Sequence, residues 1–181
     1  MNRFLVIICL LLTAFACKSP EARRPISAKS GSFIDQSVER NKNLINKERA
    51  VFETIMAKDS VTDYIASNSG FWYYYQTKAA DSLTTPEFGD IVTYNYTIKD
   101  INETVIYSQA DLKQQTYIMD KQELFTGLRE GLKLMREGET VTFLFPSQKA
   151  YGYYGDENKI GTNVPLICEV SLIDIKTTEP N

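Results

Sequence analysis

Apolar residues from Ile34 to Lys58 recur at helical spacing: Ile34, Val38, Ile45, Phe52 and Met56 are separated by 4, 7, 7 and 4 positions. Leu44, Val51 and Ile55 widen the stripe, while Asp35, Glu39, Arg40, Lys47, Glu48 and Lys58 mostly cover the other side. The pattern predicts one long amphipathic helix. Its stripe favours packing on its own domain over a dimer arm or a clamp for unfolded chains. Ser60-Val61-Thr62-Asp63 reads as a second helix start, predicting a short helix to about Ser67 that Asn68-Ser69-Gly70 ends.

The period then changes. Phe71 to Thr77 is aromatic and extended, and residues 78–90 form a polar loop. Ile91–Ile98, Thr104–Tyr107, Gln115–Met119, Thr140–Phe145 and Leu166–Ile175 read as strands. Lys121–Lys133 reads as a helix with Leu124, Leu128, Leu132 and Met135 inward and Gly138 at its end. Residues 151–165 form a long Gly- and Tyr-rich loop. Strands around one helix predict an α+β domain with an antiparallel sheet.

The amino terminus reads differently. Arg3 precedes an apolar run, Phe4–Leu12, too short to span a bilayer permanently. Thr13-Ala14-Phe15-Ala16-Cys17 follows and resembles a bacterial lipoprotein cleavage site. This implies a leader over 1–16 and a lipidated Cys17. It also implies a periplasm-facing protein anchored in the cell envelope, the outer membrane being favoured. Residues 17–32, rich in Pro, Ser, Gly and charge, read as a tether. The remaining divisions are a helical arm (33–67), an aromatic strand with its loop (68–88), a main domain (89–176) and a tail (177–181).

Composition narrows the chemistry. The 181 residues carry 20 Lys and Arg against 23 Asp and Glu, and this mild acidity argues against a nucleic-acid binder, which needs a basic face. There is no histidine, which removes His bases, Ser-His and Cys-His dyads and His metal ligands together. After leader removal and lipidation, Cys168 would be the one free thiol, a type of residue that more often fills a core than acts as a nucleophile. What remains is carboxylates, phenols, backbone groups and shape.

Residues 89–175 resemble an FKBP-type peptidyl-prolyl isomerase domain. The resemblance rests on Gly89-Asp90-Ile91-Val92 with Tyr94-Asn95-Tyr96-Thr97, on Lys121 through Leu132, and on Met135-Arg136-Glu137-Gly138-Glu139. Pro146 through Gly152 and Leu166 through Leu172 complete it. It implies a half-barrel sheet wrapped round one helix with an aromatic pocket between them, and no cofactor or metal. Carried over by position, Tyr96, Phe125, Tyr151 and Ile160 form the catalytic set, with the Tyr151 hydroxyl and the Ile160 N–H holding substrate carbonyls. Ile106, Tyr107, Tyr117, Leu124, Leu128 and Cys168 line the substrate pocket, Leu128 as its floor where the family usually has Trp. Tyr107 stands where the family usually has Asp, Gln115 where it has an aromatic, and Cys168 and Ile106 where it has Phe. These departures argue against macrolide binding.

The leader, arm and aromatic strand further resemble gliding-motility-associated lipoprotein isomerases of Bacteroidota. The implied partners are proline-containing unfolded or exported polypeptides, a membrane through the lipid, and a second copy through the helical arm. A non-catalytic holdase and a structural part of an envelope machine stay open beside the isomerase.

Overall fold

The computed structural model describes residues 30–80 and 83–177, with side chains from residue 33 onward. The leader, Cys17, most of the tether and residues 178–181 of the tail lie outside the described residues. The chain divides into two units, one ending at Glu39 and one beginning at Arg40.

Helix α1, Ser30–Lys58, is 29 residues long. In the first unit its Phe33, Ile34 and Val38 are exposed. In the second, Phe52 is buried with Leu144 and Ile167, and Ile55, Met56, Trp72 and Tyr74 pack around them. The short helix expected over 60–67 does not form. Asp59 Oδ1 accepts the N–H groups of Val61 and Thr62 at 3.2 and 3.3 Å, making a turn. Strand β1, Ile65–Ala66, then pairs with β2, Trp72–Thr77. The turn between them has Gly70 at φ +82°, a conformation that costs glycine little.

The strands form one antiparallel sheet in the order β1-β2-β6-β7-β3-β4. Strand β3 is Ile91–Lys99, β4 Val105–Tyr107, β5 Gln115–Ile118, β6 Thr140–Phe145 and β7 Leu166–Lys176. Along its length β3 pairs with β7; its other edge takes β5 at one end and β4 at the other. A four-residue helix α2, Gln109–Leu112, lies between β4 and β5, capped by Ser108.

Burial alternates strictly along β3, with Val92, Tyr94, Tyr96 and Ile98 inside. Strand β6 is buried at nearly every residue because both faces are covered. Its Val141, Phe143 and Phe145 join the main core with Leu128 and Leu132, while Leu144 meets Phe52 of α1. The aromatic run of β2 divides the same way: Tyr73 and Tyr75 pack on the main core, and Trp72 and Tyr74 on the α1 side.

Helix α3 is shorter than its leucine spacing suggested, running Thr126–Leu132. Asp120 at φ +59° and Phe125 at ψ 141° keep the preceding residues out of the helix. Gly138 is not its terminus. It sits at φ +82° in the next turn and donates its N–H to Leu172 O at 2.9 Å.

Candidate active site

Ten side chains expected at the site belong to one hydrophobic cluster. Tyr96, Tyr117, Leu128, Ile160 and Cys168 are buried within it, and Ile106, Tyr107, Leu124, Phe125 and Tyr151 pack against it half-buried. Strand alternation aims Tyr96 inward from β3. Phe125 stands immediately before α3. Tyr151 follows a turn of 3₁₀ helix, Ser147–Lys149, that leaves the end of β6.

Rings meet at this point. Phe125 lies 5.1 Å from Tyr151 at an interplanar angle of 43°, and 5.6 Å from Phe145 edge-to-face at 82°. Tyr96 and Tyr94 are 5.5 Å apart. These spacings fall in the favourable range for offset and edge contacts. Among the described residues, no protein group hydrogen-bonds the Tyr96 or Tyr151 hydroxyl. Both phenols are poor acids. Burial pushes Tyr96 up to about 12, with Cys168 and Tyr107 adding to the effect. Burial, then Tyr96, Cys168, Asp156 and Tyr107, push Tyr151 higher still. The cluster therefore offers neutral O–H groups beside aromatic faces.

The remaining residues behave differently. Leu128 and Cys168 are 0% exposed, so both are core. Burial raises the Cys168 thiol far above its ordinary value and leaves it without thiolate character. The Tyr117 hydroxyl donates to Gln122 O at 3.2 Å and accepts the Asp120 N–H at 3.3 Å, pinning the segment before α3. The Ile160 N–H, expected to meet a substrate carbonyl, is already donated to Asp156 Oδ1 at 2.7 Å. That assignment is corrected: in this conformation the amide holds the flap together.

Asp156 is the residue that sequence reasoning missed. Its carboxylate also accepts the Tyr107 hydroxyl and the Asn158 N–H. Burial would raise its pKa, but these hydrogen bonds prevail and lower it. A Gly-Asp-Glu-Asn stretch is a turn signal, and an aspartate closing its own loop was its only local trace.

The sequence model for FKBP-type peptidyl-prolyl cis-trans isomerases matches residues 83–173, half of the chain. The chain belongs to the FKBP-type peptidyl-prolyl cis-trans isomerase family. Among curated FKBP-type relatives, the chain is 31% identical over 135 residues to the probable isomerase FkpA of Neisseria meningitidis. That match spans 74% of this chain and 48% of the relative. It is 32% identical over 102 residues to the isomerase Mip of Coxiella burnetii, covering 56% of this chain and 44% of Mip. The chain thus spans about half the length of these curated relatives. In fold it is similar to the crystal structure of FkpA from Escherichia coli, with TM-score 0.60, 23% identity and coverage of 94% and 80%. It is also similar to an isomerase from Pseudomonas syringae, with TM-score 0.59, 20% identity and coverage of 75% and 96%.

Proposed function

We propose that this chain is an active peptidyl-prolyl cis-trans isomerase that assists folding of exported proteins in the bacterial envelope. The observation that carries the reading is the Phe125–Tyr151 ring pair, with both the Tyr151 and Tyr96 hydroxyls left unbonded by protein beside an apolar core.

Turning an X–Pro bond meets a barrier of about 18–20 kcal/mol, because the twisted amide loses resonance. No nucleophile is needed, which suits a chain without histidine. The planar amide is charge-separated and the twisted one less so. A dry pocket therefore favours the twisted form relative to the planar one, and fixed phenol donors orient the flanking carbonyls. Phe125 seats the prolyl ring and Tyr151 donates to a substrate carbonyl. Differential stabilisation of about 4 kcal/mol corresponds to roughly a thousandfold.

Lipid attachment at Cys17 would hold the enzyme at a membrane facing the periplasm, with clients that include components of a gliding apparatus. The exposed Phe33, Ile34 and Val38 suit pairing with a second copy through the arm. A holdase is the second reading, favoured by the flap tyrosines Tyr153 and Tyr154, which are 70% and 85% exposed. A proline-limited refolding assay separates the two. An isomerase speeds the slow phase, and Tyr151→Ala and Phe125→Ala reduce that gain. Suppressed aggregation at an unchanged slow-phase rate would leave only the holdase.

A further inference from the structure

Ser147 is held on both sides of its backbone. Glu48 of α1 accepts the Ser147 N–H at 2.9 Å with Oε2 and the Ser147 hydroxyl at 2.6 Å with Oε1. The Ser147 carbonyl accepts the N–H of Ala150 at 3.1 Å and of Gly152 at 2.8 Å, the two residues that flank Tyr151. Glu48 is 5% exposed and Ser147 0%.

A carboxylate taken out of water incurs a penalty of several kcal/mol unless it is well hydrogen-bonded. A helix whose whole task was to cover the sheet would carry an aliphatic residue here, as α1 does at Ile45 and Ile55. The turn that Glu48 grips also abuts α3. A Cβ on Gly127 would stand 2.7 Å from the Lys149 carbonyl oxygen, so the turn and the start of that helix are in contact. Phe125, two residues before Gly127, packs on Tyr151. A three-residue 3₁₀ turn has little stability of its own. Its geometry therefore depends on what binds its first residue.

We propose that Glu48 is a positioning residue for the prolyl site: it fixes the Ser147 turn and so sets the Tyr151 ring against Phe125. The inference rests on the isomerase reading and makes α1 part of the enzyme. Glu48→Leu keeps the bulk and removes both acceptors. Glu48→Gln keeps an acceptor for the Ser147 N–H and offers a donor to its hydroxyl. Both, with Ser147→Ala, are made in the full chain. They are read by kcat and KM on a prolyl peptide, by the aromatic ring NMR resonances of Tyr151 and Phe125, and by melting.

The expected result is a folded Glu48→Leu with kcat/KM about tenfold lower, lost mainly in kcat, and Glu48→Gln within about twofold of the parent. The Tyr151 and Phe125 resonances move in the leucine variant and return in the glutamine one. A folded Glu48→Leu with parental kcat and ring resonances overturns the proposal. If that variant does not fold, Ser147→Ala decides. It loses the hydroxyl bond and keeps the N–H bond, so shifted rings with lower kcat support Glu48, and parental values overturn it. An inactive parent sinks the isomerase reading, whereas the ring resonances still decide whether Glu48 sets Tyr151.

Discussion

The hydroxyl of Tyr107 on β4 donates to the carboxylate of Asp156, joining the sheet edge to the loop between β6 and β7. The same phenol oxygen accepts the Lys159 N–H at 3.3 Å. The Lys159 ammonium lies 4.7 Å from the centre of the Tyr107 ring and donates to Ile106 O at 3.2 Å. Charge-assisted bonds of this kind are short and directional. Tyr107, standing where the family usually has Asp, thus serves as a flap anchor.

Breaking that clasp should loosen the flap without unfolding the domain. Asp156→Ala removes the acceptor shared by Tyr107, Asn158 and Ile160, and Tyr107→Phe removes one donor alone. Amide exchange across residues 152–163 should rise strongly in the first and modestly in the second, while strand β3 stays protected. Activity on a prolyl peptide should fall about threefold to tenfold in Asp156→Ala, because a mobile rim admits water and misplaces Tyr151. Unchanged exchange in the flap would refute the clasp.

Much of this architecture was legible in the sequence, and the failures have physical causes. Alternation in Ile91–Ile98 marked β3, because one face of that strand is buried and the other is only partly so. Ser60-Val61-Thr62-Asp63 imitated a helix cap, but Asp59 caps a turn there and Ile65 finds a strand partner in Tyr73. The leucine spacing from Leu124 overran the true start of α3, because Gln122 and Tyr117 are bonded to each other before it. That the ten side chains would share one hydrophobic cluster was readable because they lie in recognisable segments. The Tyr107–Asp156 and Glu48–Ser147 bonds join positions 49 and 99 apart, and no local pattern reports such pairs.

The pH profile should be flat across the neutral range. No histidine titrates there, and the Tyr96 phenol, raised to about 12 by burial, stays neutral. A plateau in kcat/KM from about pH 5 to 9 is expected. Below it, Asp156 decides. Its folded pKa is depressed, so its contribution is present above the unfolded value and is lost as pH falls through the folded one. The protection factors of the flap amides should therefore fall below about pH 4 and be insensitive to pH in Asp156→Ala. For Tyr96 the sign is opposite, with stability retained below about pH 10 and lost as pH rises toward the folded value. A bell centred near pH 7 would contradict this account.

Tyr151→Phe and Phe125→Ala test different parts of the pocket. Tyr151→Phe keeps the ring 5.1 Å from Phe125 and removes the unbonded hydroxyl. Its cost should appear as about a tenfold drop in kcat with the melting temperature within about 2 °C of the parent. Phe125→Ala removes the ring that contacts both Tyr151 and Phe145. It should raise KM, lower kcat and destabilise the fold by about 2 kcal/mol, less than a fully buried Phe because Phe125 is half-buried. Parental kinetics in Tyr151→Phe would remove the phenol from the mechanism and leave its ring as a wall.

Gly127 tests the close packing beneath the site. In a helix interior alanine is normally better than glycine by about 0.5–1 kcal/mol, and Gly127, the second residue of α3, would gain at most that. Here a Cβ would lie 2.6 Å from Phe145 Cδ1 and 2.7 Å from the Lys149 carbonyl oxygen. The ring can yield a little, but the carbonyl belongs to the turn that Glu48 and Ser147 hold in place. Overpacking of this kind costs about 1–3 kcal/mol, which outweighs the propensity gain. Gly127→Ala should therefore lower the melting temperature by several degrees, at about 2–4 °C per kcal/mol for a chain of this size, and disturb the Phe125–Tyr151 contact. Gly161→Ala is the control, because its Cβ would meet only Val164 Cγ2 at 4.0 Å. A Gly127→Ala protein as stable as the parent would show that the turn moves freely against α3, and that Tyr151 is not held from below.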